Sequence, residues 1–96
     1  MNPKFKYRFL VLRKLYEHMQ NPIEQRDITI FEVGRELGIG EVAAIDAFMY
    51  LSQEGLTKWT GLGGEASITQ IGIQEIEDAM AEKRTAYFPL GILNAV

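Results

Sequence analysis

Apolar residues recur at Phe5, Phe9, Leu12, Leu15 and Tyr16/Met19. That three-to-four spacing predicts an amphipathic helix over residues 5–20, with lysines and arginines on its outer face. Asn21-Pro22 ends it, because proline cannot donate to the helix ladder and disfavours helical geometry just before it. Residues 27–29 suit a very short strand. In ITIFEV, Thr29 precedes Glu32 by three residues, the spacing of a reciprocal capping box, and Ile28 and Val33 can form an apolar staple across it. A short helix over 30–37 follows, closed by Gly38, which is free to take the left-handed conformation. A third helix lies in GEVAAIDAFMYLSQEGL, residues 40–56, and stops at Gly55. LTKWT (56–60) and SITQ (67–70) predict two strands joined by the flexible reversal GLGGEA (61–66). Thr69 caps a last helix, IGIQEIEDAMAEK, with Ile73, Ile76 and Met80 inward and Ile71 as a further candidate. The predicted class is mainly α with a small β-hairpin (α+β), in the order α-β-α-α-β-β-α, followed by an apolar C-terminal tail.

Residue types match that order. TIFEVGRELGI, then a long helix ending LSQEGL, then the hairpin, then SITQIGIQEIE, resemble a bacterial winged helix-turn-helix domain over about residues 5–83. RTAYFPL also looks like the tail of some bacterial winged-helix proteins. The resemblance implies a winged-helix domain over 1–83 and a tail over 84–96 that packs on the domain or on a dimer partner. Winged helices bind DNA, RNA or proteins, so the fold alone names no partner. In the DNA-binding members the third helix enters the major groove. Carried onto this chain, Ala44, Phe48 and Leu51 would face inward. Gly40, Glu41, Ala43, Ile45, Asp46, Ala47 and Tyr50 would face the groove.

Charge departs from that pattern. The chain has 96 residues and a net charge of −3. Residues 1–20 set five basic side chains against Glu17 alone, a net of +4, while residues 21–96 set five against twelve acidic ones, a net of −7. Duplex affinity comes mostly from cations that neutralise phosphates. The outward positions of the third helix hold Glu41 and Asp46 and no arginine, lysine, asparagine or glutamine with which to read bases. In this register Ile45 and Met49 lie on or near the outer face beside Tyr50, an apolar patch with an acidic rim that suits a protein surface. An alternative register buries Val42, Ile45 and Met49 instead.

No catalytic constellation is evident. His18 is the single histidine and there is no cysteine, so neither a metal quartet nor a disulfide framework is expected. Glu75, Glu77 and Asp78 suit a solvated face and a first-turn complement to the helix dipole. GLGG lacks the Gly-Lys-Ser/Thr of a phosphate loop and fits a hairpin turn. Trp59 suits an anchor that holds the hairpin to the body. No apolar run approaches the roughly 20 residues of a membrane span, and the N-terminus is too charged for a signal peptide. Residues 85–96 carry no charge, and Pro89 and Gly91 argue against a helix there. Left in water this stretch would aggregate, so burial in a groove between the first and last helices, or in a second copy, is expected.

The expectation is a cytoplasmic, non-enzymatic binding module without cofactor, metal, membrane or small-molecule substrate. One form is a DNA-associated transcription regulator with weak, phosphate-dominated contacts from Lys4, Lys6, Arg13, Lys14 and Lys58. The other is a protein-interaction or homodimerisation module using Ile45, Met49 and Tyr50 with Tyr87, Phe88, Leu90, Ile92 and Leu93 of the tail.

Overall fold

The computed structural model describes residues 2–23 and 26–96. Helix α1 (Pro3–Gln20) starts two residues before the apolar repeat. Asn2 caps it by accepting from the Lys4 N–H, and Pro3 occupies a first-turn position where no donor is needed. Strand β1 (Ile28–Thr29) leads directly into α2 (Ile30–Leu37). The capping box is present in both directions: the Glu32 N–H donates to Thr29 Oγ1 and the Thr29 N–H donates to Glu32 Oε1. Arg26 braces the box at 2.6 Å from Glu32 and, as the largest cause, holds that carboxyl below its ordinary pKa.

Gly38, at φ 70°, ends α2. The Gly34 carbonyl accepts from both Ile39 and Gly40, which sets the tight turn into α3 (Glu41–Gln53). Strands β2 (Thr57–Trp59) and β3 (Glu65–Ile68) form the hairpin. β3 begins at Glu65, inside the stretch expected as loop. It is central to a three-stranded antiparallel sheet in the order β1-β3-β2, with Ile28 opposite Ala66 and Thr57 opposite Ile68. Pairing with β1 therefore extends the hairpin into a sheet. Thr69 donates to the Gly55 carbonyl at 2.6 Å and accepts from the Gly72 N–H. One side chain thus ties the end of α3 to the start of α4 (Gln70–Met80).

The core lies where α1, α3 and the sheet meet, around Phe9, Leu12, Ile30, Phe48, Leu51 and Ile76, all fully buried. Ile71 is exposed, not inward. The tail is part of the same body. The Thr85 hydroxyl accepts from the Tyr87 and Phe88 N–H groups and turns the chain. Despite Pro89 and Gly91, a one-turn helix α5 (Ile92–Ala95) forms, because Gly91 sits ahead of it at φ 86° and starts it. α5 packs against α1 and α4. Among the described residues no helix is long and apolar enough to cross a membrane.

Candidate functional site

The register of α3 is read from which of its residues are buried. Ala44, Phe48 and Leu51 are buried, as the inward set requires. Ala47, expected to face outward, is also buried, because it forms the floor where α1 crosses α3. The alternative register is excluded, since Val42 is 76% exposed and Met49 44% exposed. Ile45 is half-buried against the core and does not join the outer patch.

Between the N-terminal half of α1 and the outer face of α3 runs a groove of about 660 Å³. Lys4, Tyr7 and Arg8 form one wall, and Val42, Asp46 and Met49 the other. The Arg8 guanidinium lies over the Tyr50 ring, 3.5 Å from its centroid. A ring face holds a cation in this way without satisfying its N–H donors. Tyr7 and Val42 were not among the sequence candidates, and Arg8 entered only as one of the five basic side chains of residues 1–20. A signal for Val42 did exist, because Val42, Asp46, Met49 and Gln53 form a second stripe at i, i+4, i+7 and i+11, beside the buried one.

The five expected cations stand in different settings. Lys4 is exposed on the groove rim, whereas Lys6 and Lys58 are exposed outside it. Arg13 is half-buried, with its guanidinium 5.2 Å from the Phe9 ring centroid. Lys14 lies 3.8 Å from Glu36 of α2, so its charge is offset within the chain. The tail residues divide similarly. Phe88 and Ile92 are buried in the domain's own core, Phe88 edge-on to Phe9 at 5.6 Å, and cannot form an exposed interface. Tyr87 and Leu93 are half-buried, and only Leu90 is well exposed, at 57%.

The acidic face of α4 is not uniformly solvated. Glu77 accepts from the Tyr16 hydroxyl at 2.7 Å, a bond that raises the tyrosine pKa. Asp78 accepts from Gln74. Glu75 is half-buried, its Oε2 has no hydrogen-bond partner, and burial followed by the neighbouring Asp78 raises its pKa. None of the three lies in the first turn of α4. Trp59 packs on Phe48 with centroids 4.4 Å apart while remaining partly exposed. His18 Nε2 lies 2.7 Å from the Arg26 carbonyl oxygen. Among the described residues no group of three or more histidines or carboxylates is placed to hold a metal ion. Comparison with family models, characterised proteins and solved structures finds no match to this chain.

Proposed function

We propose that this chain is a cytoplasmic, non-enzymatic binding module of the winged-helix type, and that its α1–α3 groove docks protein rather than DNA. The element order, the Thr29 and Thr69 caps and the hairpin support the winged-helix reading. The observation that carries the partner class is the outer face of α3: Val42 and Met49 are exposed among Glu41 and Asp46, and no cation stands on that helix. A duplex would meet repulsion there, whereas an apolar centre with a charged rim suits protein.

The competing reading is weak DNA association through phosphate contacts. It draws on Lys4, Lys6 and Lys58, which are exposed. A gel shift with mixed-sequence duplex at low salt separates the two. Protein docking predicts no retardation at micromolar chain. A retarded band that disappears in Lys4→Glu/Lys6→Glu/Lys58→Glu would refute it in favour of DNA.

A further inference from the structure

Resting on that reading, we infer that the partner in the α1–α3 groove is a second copy of this chain, paired across a two-fold axis. The argument begins with unspent charge. Lys4 and Arg8 on one wall and Asp46 on the other share the groove, yet among the described residues none of these side chains makes an ion pair or hydrogen bond. Arg8 is held in place by the Tyr50 ring with its N–H donors still available. A face that carries both signs, unpaired within the subunit, is self-complementary under a two-fold.

Shape agrees with charge. Val42, Asp46, Met49 and Gln53 make one exposed ridge along α3, and that ridge is also a wall of the groove. Each copy therefore offers both a ridge and a groove to take the other's ridge. Two such ridges run antiparallel about a point between positions 46 and 49. Val42 then faces the second copy's Gln53, and Asp46 faces the second copy's Met49. Tyr50, on whose ring Arg8 lies, lines the same groove as Met49. The second copy's Asp46 thus arrives beside Arg8, and the same pair recurs across the axis. Lys4, one turn before Arg8 on the same face of α1, adds a second cation near that carboxylate. Met49 lies beside the axis and supplies the apolar centre that such an interface needs, with Val42 at either end of the paired ridges.

Sedimentation equilibrium of the full chain tests this over about 1 μM to 1 mM, where an interface of modest size associates. The wild type is expected to pass from the 10.9 kDa chain mass to twice that mass. Asp46→Arg and Arg8→Asp should each weaken association at least about tenfold, and the double variant should restore it, because reversal of both partners re-forms the pair. Circular dichroism of each variant checks that it is folded. A wild type that stays monomeric overturns the inference. So does a dimer that neither reversal weakens, or one that the double variant fails to rescue. The gel shift above keeps the two levels apart. A monomer that retards no duplex removes the second copy and leaves the groove to a different protein, whereas lysine-dependent retardation removes protein docking itself.

Discussion

Removing the Phe88 ring should loosen the tail from the rest of the molecule. Phe88 is 4% exposed and stands edge-on to the fully buried Phe9, with centroids 5.6 Å apart and planes at 88°. Truncation of a buried phenylalanine to alanine costs about 3–5 kcal/mol. The edge-to-face contact accounts for roughly 0.5–1.5 kcal/mol of that. At about 0.05–0.15 kcal/mol per residue, a 96-residue domain is stable by only about 5–14 kcal/mol, so Phe88→Ala removes a large fraction. For a chain of this size each 1 kcal/mol moves Tm by about 4–8 °C, and the lower estimate of 3 kcal/mol implies a fall of about 12 °C or more. Local release of residues 84–96 caps the loss, because the tail can detach before the core unfolds. In that case the fall in Tm is smaller, and the amides of Ile92 and Asn94, bonded to Pro89 and Gly91, exchange faster. Thermal unfolding by circular dichroism and hydrogen exchange together read both routes. A Tm within about 1 °C of wild type, with exchange at residues 92–95 unchanged, would sink the reasoning.

Two further outcomes follow from individual side chains. Glu75 has a pKa raised above its ordinary value of 4.5, first by burial and then by Asp78, so its charged form is disfavoured in the fold. Above the raised pKa the poorly solvated carboxylate costs stability; that cost is relieved as pH falls through the raised pKa and is gone below 4.5. Glu75→Gln should therefore be more stable than wild type at pH 7 by on the order of 1 kcal/mol, with the difference closing toward pH 4, and urea titrations showing no pH-dependent gap would contradict this. At Gly34 an added Cβ would lie 2.6 Å from the Gly40 carbonyl oxygen and 3.0 Å from Ala44 Cβ. Gly34→Ala should lower Tm although alanine favours helix by about 1 kcal/mol, because overpacking between α2 and α3 costs about 1–3 kcal/mol; a raised Tm would show that the turn yields freely.

Several of the points where elements start and stop were legible in the sequence. Thr29 with Glu32, Gly38, Gly55 and Thr69 act on backbone groups within a few residues, so their effects are written locally. The inward stripe Ala44, Phe48 and Leu51 was one of two registers the sequence allowed, because a helical period groups both sets, and only burial in the fold decides between them. Contacts between residues distant in the chain were not legible. Only the tertiary structure pairs Thr29 with Glu65, which extends the hairpin to three strands, and buries Ala47 beneath α1. It also decides which charges remain available: Lys14 meets Glu36, Arg8 lies on Tyr50, and Glu75 Oε2 is left without a partner. The tail makes the same point, since its lack of charge required burial somewhere while only the approach of Phe88 to Phe9 specified where. A periodic pattern or a capping residue encodes hydrogen bonds along one segment. A side chain's solvation and charge depend on which other segments fold against it.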